Sequence, residues 1–541
     1  MKNIILSAMI IIFIFKPFIS SQSAGNLEDT FDDSNKRVAK ILDDDNSKYT
    51  NIGNIGITIS NFGTYGHGFI FWPEQPSCEY PLGSGIEHIF KGGLWIGGYK
   101  ADDALGNNKI GPFVTSGAVD ASGVIRAGGF EFTNSLGDSV IERSSLIGSP
   151  VYDPSAISHQ DFLMDYVDTN TTLQNGEPIV NHEPFGVSVH QETYAWNFTY
   201  ANFFVILNYW IKNVSNKYLD SVFVGLWTDT VVRNTQLTGY PSGAGFYNKG
   251  GNGYNDLIKI AYEFDAVGDS SSSESYIGIQ FCGSEPNLPN SFPHSFLDSI
   301  PSVNYVTWMF RNTTDPNFFA PQNDIDRFSK MRGFFGGNNR WKDGIDPDQV
   351  KTPSNRSTTI TRGHFKNIAP GDSINVVFAI VCAKKFGPDP AILDTEEQKR
   401  NLYANTELAL CTYFGEDQNR NGLLDPGEDL DGDGKITRYI PCPVTTIDKE
   451  LNSIGDYSLS NNYPNPFNPI TKIKYQIPEL SSVTLKVYDV LGNEIITLIS
   501  EEKPVGNYEV DFDGANLTSG IYFYRLQAGS FVETKKMVLL K

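Results

Sequence analysis

Oxygen-bearing side chains recur at nearly every second position of the segment 417–428, Asp-Gln-Asn-Arg-Asn-Gly-Leu-Leu-Asp-Pro-Gly-Glu. Carboxylate, amide and carbonyl oxygens are the ligands that Ca²⁺ prefers, and about six to eight of them must converge on one ion. A loop does this with side-chain oxygens at positions 1, 3, 5, 9 and 12, a carbonyl at position 7 and a glycine at the sharp turn. The candidate ligands are Asp417, Asn419, Asn421, the carbonyl of Leu423, Asp425 and Glu428. The segment therefore predicts a calcium site.

A second acidic segment, 429–440, follows without a gap and repeats most of this pattern. Position 12 is Ile440, so the segment lacks the bidentate carboxylate that completes such a loop. Its candidate ligands are Asp429, Asp431, Asp433 and Thr437. We interpret both segments as EF-hand-like loops, the first with an affinity on the order of 10⁻⁴–10⁻³ M. The second either binds weakly or shares ligands with the first, and a solvated acidic linker is the alternative for each.

A helix before these loops and a disulfide around them would hold them in place. Asp389-Pro390 offers a helix cap and a first-turn proline, and residues 392–410 are rich in helix formers. The buried stripe of this helix would comprise Leu402, Tyr403, Ala409 and Leu410. We expect the helix to pack across the end of a sandwich. Cys411 and Cys442 bracket both loops, and we predict a disulfide between them.

The chain has five cysteines, which permits two disulfides and one free thiol in an exported protein. Cys282 and Cys382 lie within apolar strand patterns, so we interpret them as buried thiols packed as small core residues. No cysteine adjoins a histidine, which gives a thiol nucleophile little support.

Residues 52–390 show the strand patterns of a large β-sandwich body with one or two subdomains. The apolar runs 201–212 and 219–229 are separated by a short polar segment, as are the runs 257–264 and 276–281. Each arrangement predicts a β-hairpin with one buried face.

Signatures of catalysis are largely missing from the sequence. It contains no His-Glu-x-x-His, no Gly-x-Ser-x-Gly and no glycine loop that opens a helix for phosphate. A glycan hydrolase needs only two carboxylates at the right separation in space, so hydrolase activity stays an alternative. An exposed tryptophan can also stack on a sugar. We expect Trp210 and Trp227 in the core. Trp308 and Trp341, in polar loops, are the better candidates for a surface site, but a core or lid position is favoured for them as well.

The N-terminal end has the pattern of a secretory signal peptide. A basic start precedes the apolar run 4–15, which is too short to span a bilayer as a helix. We therefore assign 1–24 as a signal peptide and 25–51 as an acidic tether. No later segment approaches the length of a membrane-spanning helix, so we expect no transmembrane segment in the mature protein.

The formal net charge of −21 arises from 63 acidic against 42 basic residues. This excess of negative charge argues against nucleic acid and anionic lipid as partners. It favours either cation binding or simply solubility outside the cell, where a cell-surface polysaccharide is a candidate partner.

The C-terminal region, 454–541, alternates apolar and polar side chains in short runs separated by turns. Two such runs are Ile473, Tyr475 and Ile477, then Val483, Leu485 and Val487. Alternation over four to eight residues is typical of half-buried antiparallel strands. The region therefore predicts a small Ig-like sandwich.

Four motifs follow one another in this region: Tyr463-Pro-Asn-Pro-Phe-Asn-Pro469, Val487-Tyr-Asp-Val-Leu-Gly492, Ser519-Gly-Ile-Tyr-Phe-Tyr-Arg-Leu526 and Thr534-Lys-Lys-Met-Val538. Together they resemble the type A C-terminal sorting domain of type IX secretion, which is similar to the Ig-like domain of flagellar hook-capping proteins. The resemblance implies recognition by an outer-membrane secretion machinery. It assigns a destination to the rest of the chain, but no activity.

The expected fold is mainly β: a large β-sandwich body with one helix and a calcium-loop junction at 391–450, followed by a C-terminal Ig-like β-sandwich. The expected function is that of a secreted or cell-surface protein exported by type IX secretion. Its body is expected to be a structural, adhesion or binding module with structural Ca²⁺. A secreted glycan-active hydrolase or carbohydrate-binding protein is the alternative.

Overall fold

The structure of the 541-residue chain is a computed structural model. It describes residues 46–69, 74–119, 131–133, 139–172, 178–179, 182–235, 247–268, 274–292, 300–310, 318–334, 350–387, 390, 392–425, 428–430, 432–441, 457–460, 462, 464–477, 481–490, 492–503, 506–529 and 531–541. The predicted signal peptide and most of the predicted acidic tether lie outside these residues.

The described residues form mainly β-strands. The strands of the body are β1 (Ser47–Tyr49), β2 (Gly56–Ser60), β3 (Thr64–Tyr65), β4 (Cys78–Glu79), β5 (Ile86–Ala101), β6 (Ile110–Ser116), β7 (Ile141–Arg143), β8 (Gln160–Val167), β9 (Val187–Ala195), β10 (Phe204–Asn213), β11 (Tyr218–Asn234), β12 (Gly250–Asn255), β13 (Ile260–Asp265), β14 (Ser275–Glu285), β15 (Ser291–Phe292), β16 (Ile300–Pro301), β17 (Val303–Met309), β18 (Arg356–Phe365) and β19 (Ser373–Lys384). The two helices are α1 (Asp324–Met331) and α2 (Arg400–Phe414). The C-terminal strands are β20 (Ser458–Leu459), β21 (Ile470–Ile477), β22 (Ser481–Tyr488), β23 (Glu494–Lys503), β24 (Gly506–Asp513), β25 (Gly520–Ala528) and β26 (Phe531–Leu539).

Two large sheets form the body. The nine-stranded sheet runs β1-β2-β3-β5-β11-β18-β17, with β4 beside β2 and β5, and β6 beside β5. The eight-stranded sheet runs β12-β13-β14-β19-β10-β9-β8-β7. Their inner faces share one buried cluster, in which Ile96 and Leu226 of the first sheet accompany Leu207 and Phe378 of the second. Because alternate side chains of each strand enter this shared core, the body is a β-sandwich, as predicted.

The predicted hairpin of 201–212 and 219–229 is wrong, because its two strands belong to opposite sheets. β10 pairs with β9 and β19, whereas β11 pairs with β5 and β18. The short segment between them therefore crosses from one sheet to the other instead of turning within one. The second predicted hairpin is confirmed: β13 pairs antiparallel with β14, and Ile260 lies opposite Gln280.

The helix α2 covers the outer face of the eight-stranded sheet rather than the end of the sandwich. Leu402 and Ala409 are fully buried there, Leu410 is 9% exposed, and Tyr403 is partly buried. The partners of this stripe include Phe264 and Val381 of the sheet beneath. Neither described helix has the length and hydrophobicity that a membrane span requires.

The helix α2 also begins later than residue 392. Thr395 and Gln398 form reciprocal hydrogen bonds in the turn that precedes the helix, which begins only at Arg400: the Gln398 N–H donates to Thr395 Oγ1 at 3.2 Å, and the Thr395 N–H donates to Gln398 Oε1 at 3.1 Å. Just before this turn, the Asp394 carboxylate accepts hydrogen bonds from the Tyr262 and Tyr276 hydroxyls. These contacts hold the segment before Thr395 out of the helix, so the proline at 390 is not a first-turn residue.

The sequence analysis missed the helix α1, so the expectation of a single helix is wrong. The Asn323 side chain caps the helix by accepting from the Asp326 N–H at 3.0 Å. Asp324, Arg327 and Lys330 are among its buried residues. Because its buried positions carry charges, α1 lacks the apolar periodicity that marks a helix in sequence.

The C-terminal residues form a second, smaller sandwich, consistent with an Ig-like domain. A three-stranded sheet, β20-β21-β24, faces a four-stranded sheet, β23-β22-β25-β26. The predicted inward residues Ile473, Tyr475 and Ile477 of β21 are buried against Val483 and Leu485 of β22. The alternation read from the sequence is thereby confirmed.

The end of the predicted acidic tether is ordered into the body. Ser47–Tyr49 forms β1, which pairs with β2 at the edge of the nine-stranded sheet.

Candidate functional site in the acidic loops and the C-terminal sandwich

A buried glutamate joins the two acidic loops at the end of α2. The helix ends at Gly415, whose φ of 59° is in the left-handed region and whose N–H donates to the Cys411 carbonyl. Glu416 follows and is fully buried. Its carboxylate accepts the Leu430 N–H at 2.7 Å and the Thr437 N–H at 2.8 Å. Glu416 thus fixes the second loop to the start of the first, a role that no local pattern in the sequence indicates.

The first and last predicted ligands of the first loop are turned into it. Asp417 is fully buried, and its two carboxylate oxygens accept the N–H groups of Asn421 and Gly422, each at 3.0 Å. Gly422 has a φ of 78°, the conformation that the sharp turn at position 6 requires. Glu428 accepts the N–H groups of Asn419 and Asp425, at 3.2 and 3.0 Å.

The middle ligands of the first loop hold one another by side-chain hydrogen bonds. Asp425 Oδ2 accepts from Asn419 Nδ2 at 2.6 Å and from Asn421 Nδ2 at 2.7 Å. These two bonds, that of Asn419 first, hold the pKa of the Asp425 carboxyl below its ordinary value. A cation bound to all three side chains would replace the two amide N–H contacts, with the amide groups turned to present oxygen. Leu423, whose carbonyl oxygen is the predicted ligand at position 7, is an exposed residue of the same loop.

The second loop has the same kind of turn but fewer converging groups. Asp429 accepts the N–H groups of Gly432 and Gly434, and Asp433 accepts that of Lys435. Asp431 lies outside the described residues, and the backbone of Thr437 exchanges hydrogen bonds with Glu416: its N–H donates to the Glu416 carboxylate, and its carbonyl accepts the Glu416 N–H. Within the described ranges, no group of three or more His, Cys, Asp or Glu side chains is assembled to hold a metal. Asp417, Asp425 and Glu428 of the first loop therefore do not form such a group, and the other predicted ligands of this loop are amide and carbonyl oxygens.

Cys411, in the last turns of α2, is disulfide-bonded. Its predicted partner Cys442 lies outside the described residues, so the pairing stays a prediction. Cys282 and Cys382 are free and buried, as predicted, and Cys78 is a third buried free thiol.

Trp210 departs from the sequence expectation, whereas Trp308 takes the core position that was favoured over a surface site. Trp308 is fully buried beneath α1, with Lys330 Nζ 5.5 Å from its ring centroid. Trp210 is 37% exposed on the outer face of β10, where its ring lies 5.8 Å from that of His190. Trp227 is buried as expected, and Trp341 lies outside the described residues.

The proline-rich motif of the C-terminal sandwich is attached to its last strand. The Phe467 N–H donates to the Val538 carbonyl, and the Leu540 N–H donates to the Phe467 carbonyl. Asn465 Oδ1 accepts the Val538 N–H at 3.0 Å. Phe467 itself is buried in the sandwich core. The first and the last of the four sequence motifs therefore form one structural unit.

A central tyrosine connects this unit to the third motif. The Tyr524 hydroxyl donates to the Ser460 carbonyl at 2.7 Å and accepts the Asn462 N–H at 2.9 Å. The Asn462 side chain in turn donates to Thr471 Oγ1 and to the Pro464 carbonyl. The segment that enters the sandwich is thus fixed to β25 from the opposite sheet.

These features define the C-terminal region as a self-contained Ig-like domain closed by its own motifs. Residues 461–540 match the family described as the secretion system C-terminal sorting domain. This part of the chain is a type IX secretion C-terminal sorting domain. The match covers less than half of the chain, so it assigns no family to the body.

Comparison of the whole chain adds little to this assignment. No curated protein sequence matches the chain. A solved structure similar to it is dimeric latent PorU from Porphyromonas gingivalis, with 9% identity and a TM-score of 0.14. The match covers 91% of this chain and 32% of that one, so the chain spans about a third of the length of that protein. A TM-score this low carries no argument about fold or function.

Proposed function

We propose that the chain is a secreted or cell-surface protein that type IX secretion exports through its C-terminal sandwich. The observation that carries this proposal is the sorting-domain match over 461–540. The self-contained core of that region supports it, because an export machinery needs a signal that folds independently of its cargo. The body is then the exported part, acting outside the cell as a structural, adhesion or binding module.

Deletion of 457–541 tests the export role. The full-length protein should be found outside the cell, and the truncated protein should accumulate in the periplasm. Resistance of the truncated body to protease serves as the control for folding, because the body has its own core. A strain without the outer-membrane secretion machinery should retain the full-length protein in the same way. Normal release of the folded, truncated protein would contradict the proposal.

We further propose that the first acidic loop binds a structural Ca²⁺ ion. Its support is the arrangement of Asp417 and Glu428 at the two ends of the loop, whose carboxylates are turned into it by the backbone N–H groups of Asn421 and Asn419 respectively. The ion would take the oxygens of the predicted ligands and stiffen the segment between the body and the sorting domain. Such a role fits the expected affinity, on the order of 10⁻⁴–10⁻³ M.

Calorimetric titration of the full chain with Ca²⁺ tests this site. Glu428→Gln should abolish the binding heat, because position 12 supplies two of the ligand oxygens. Glu183→Gln is the matched control, since Glu183 is an exposed acid that pairs with Lys100. Asp429→Asn, in the second loop, should leave the main binding event in place. Absence of both heat and thermal stabilisation at millimolar Ca²⁺ would remove the proposal.

We also propose that the body binds a cell-surface polysaccharide at the face around Trp210. Its partly exposed indole lies in one cross-strand row with His190 and Asp165, which form a 2.9 Å contact. An aromatic face beside hydrogen-bonding groups suits the apolar and hydroxyl surfaces of a sugar. Trp210→Ala should weaken retention on purified surface polysaccharide, while Phe198→Ala, at the same 37% exposure, should not. Equal retention of wild type and both variants would contradict this site.

The hydrolase alternative draws no comparable support from the described residues. Among the described residues, burial raises the pKa of the carboxyl groups of Glu87, Asp161, Asp168, Glu263 and Asp324. All are at most 7% exposed. A general acid must reach a substrate, so these groups serve the core of the body instead.

A further inference from the structure

The two outer faces of the C-terminal sandwich carry different kinds of side chain. On the three-stranded sheet, basic and acidic side chains pair across β21 and β24: Lys472 lies 3.4 Å from Asp511, and Lys474 lies 3.3 Å from Glu509. Cross-strand pairs of opposite charge suit a sheet face that meets only water. This face therefore needs no partner outside the domain.

The outer face of the four-stranded sheet is basic instead. Arg525 of β25 lies opposite Lys486 of β22, and Lys536 of β26 lies opposite Phe523 of β25. Glu494 pairs with Lys486 at 2.9 Å. No described carboxylate forms an ion pair with Arg525 or Lys536. Two positive charges are thus left without a neutralising acid, in a chain whose formal net charge is −21.

Apolar side chains share this face with the basic ones. Ile521 is 44% exposed, Val532 is 54% exposed, and Phe523 is half-buried. Ile521 and Phe523 flank the buried Tyr522, so the pleat of β25 directs them away from the core. The solvated face of an antiparallel sheet is ordinarily polar. Exposed apolar side chains beside unpaired charge are instead typical of an interaction surface.

The central arginine of this face is held in place before any partner binds. Its guanidinium lies 5.2 Å from the centroid of the Tyr488 ring, and Arg525 Nε donates to Thr534 Oγ1 at 3.2 Å. These contacts fix the side chain across β22, β25 and β26. A fixed guanidinium loses little conformational freedom when it binds a carboxylate, which its planar fork can hold with two parallel hydrogen bonds. Arg525 is therefore suited to an acidic partner.

We propose that this surface docks onto an acidic protein surface of the type IX secretion machinery. We call it the basic face, formed by Lys486, Arg525, Lys536, Ile521, Phe523 and Val532. The proposal rests on the export role proposed above. The partner would place carboxylates opposite Arg525 and Lys536, and apolar side chains opposite the apolar residues. An anionic bilayer fits less well, because these apolar side chains lie on a flat sheet and not along an amphipathic helix that can enter the headgroup region.

Charge reversal in the full-length protein tests the basic face. Arg525→Glu combined with Lys536→Glu should leave most of the protein in the periplasm, because like charges across an interface repel. Lys472→Glu combined with Lys474→Glu makes the same change of charge on the opposite face and should be exported as the wild type is. Equal export or equal retention of the two folded double variants would overturn the proposal.

Folding of each variant is checked by the protease resistance of its C-terminal sandwich. If a charge reversal unfolds the sandwich, the corresponding glutamine variants replace it, because they remove the positive charges without adding repulsion. Arg525→Gln combined with Lys536→Gln should still reduce export relative to Lys472→Gln combined with Lys474→Gln. Equal export of these two folded variants would overturn the proposal in the same way.

A second matched pair tests the apolar part of the basic face. Ile521→Ser should reduce the exported share of the protein, because it removes an apolar contact from the docked surface. Ile470→Ser is the control: Ile470 is 52% exposed and lies on β21 of the other sheet. Its export should match that of the wild type. Equal export of the two folded variants would contradict docking through this face.

Two further measurements separate this proposal from the sorting role and from lipid binding. If the chain without 457–541 is retained while the basic-face variants are exported normally, the docking proposal fails and the sorting role stands. Normal export of the truncated chain would contradict the sorting role itself. The purified full chain should not float with phosphatidylglycerol vesicles. Flotation that Arg525→Glu combined with Lys536→Glu abolishes would assign the basic face to lipid and overturn the proposal.

Discussion

The two sandwiches of this chain treat their polar groups in opposite ways. The body encloses charged and polar groups: Arg233 and Asp265 form a fully buried ion pair at 3.2 Å, and the Glu263 side chain accepts a hydrogen bond from Asn252 inside the core. The described part of the sorting domain keeps its ion pairs on the surface, as with Lys472 and Asp511 at 3.4 Å. Burial of a charge is costly unless every partner is in place. The body therefore depends on many exact contacts, whereas the sorting domain depends on apolar packing and a few neutral hydrogen bonds.

This difference suits the two roles. A sorting domain has to fold on any cargo, and a core closed mainly by alternating apolar side chains makes few demands on its neighbours. The body has one large core between its sheets and further buried clusters on their outer faces, with polar groups at fixed positions, which suits a rigid extracellular module. The predictions below test the contrast, beginning with the largest expected effect.

The tryptophan cluster of the body should give the largest loss of stability. Trp95 is fully buried, its ring centroid lies 6.1 Å from that of Trp308, and its Nε1–H donates to the Ala118 carbonyl at 2.7 Å. Trp95→Ala should lower the free energy of unfolding of the body by about 3–5 kcal/mol in urea titrations. The half-exposed Trp210→Ala should cost about 1 kcal/mol or less. Equal losses for both variants would mean that the cluster is not a packed core.

Buried carboxyls should make the stability of the body depend on pH. Burial raises the pKa of Glu87 and of Glu263 from 4.5 to about 8. Since the raised pKa favours the protonated folded state, this stabilisation is complete below about pH 4.5 and is lost as the pH rises through about 8. Glu87→Gln should reduce that loss by on the order of 2–4 kcal/mol.

The sorting domain should lack this dependence over the same range. Hydrogen bonds from Lys486 and Lys472 lower the pKa of Glu494 and of Glu509 respectively. The stabilisation of the folded domain by these two ionised glutamates is therefore already complete above the ordinary pKa of a glutamate. Unfolding of the body and of the sorting domain, each followed from pH 4.5 to 8, should differ in slope. Parallel slopes would contradict the contrast, and Glu183→Gln should not alter the slope of the body.

The tyrosine of the sorting domain should have an intermediate effect. Tyr524→Phe removes the hydroxyl that binds the Ser460 carbonyl and the Asn462 N–H across the sheets. Loss of both partners should cost the sorting domain about 1–3 kcal/mol. Tyr522→Phe removes a local bond to the Thr518 carbonyl within the same region and should cost less. An equal or larger effect of Tyr522→Phe would contradict the claim that the hydrogen bonds of the Tyr524 hydroxyl hold the two sheets together.

The surface ion pairs should have the smallest effect. Lys472 contacts Glu509 and Asp511 on the outer face of β21 and β24. Lys472→Ala should leave the unfolding midpoint of the sorting domain almost unchanged, because exposed pairs are screened by water and salt. A loss as large as that of Tyr524→Phe would show that this domain depends on charge as the body does.

The sequence predicted the structure best where a strand pattern is compatible with only one arrangement. The alternation of Ile473, Tyr475 and Ile477 must place one face inward in any two-layer sandwich, and it does. The turn after β10 carried no such information, because a short polar segment can join two strands of one sheet or of two. Only the pairing of β10 with β19, far along the chain, decides between these.

Burial on an outer face depends on what covers it, which a strand pattern does not contain. Trp308 is buried because α1 lies over it. Trp210 lies on the outer face of its own sheet, where its ring contacts that of His190 and stays partly exposed. Within the acidic loops, the spacing of the candidate ligands is local and could be predicted. Glu416, which joins the loops, could not, because its partners Leu430 and Thr437 are fixed only by the fold.

The most direct test of the central claim is a transplant of residues 454–541 onto an unrelated reporter that carries a signal peptide. In a strain with type IX secretion, the reporter with this domain should be found outside the cell, and the reporter without it should stay in the periplasm. If the domain leaves the reporter in the periplasm although both parts are folded, the C-terminal sandwich is not a sufficient export signal and the account is contradicted.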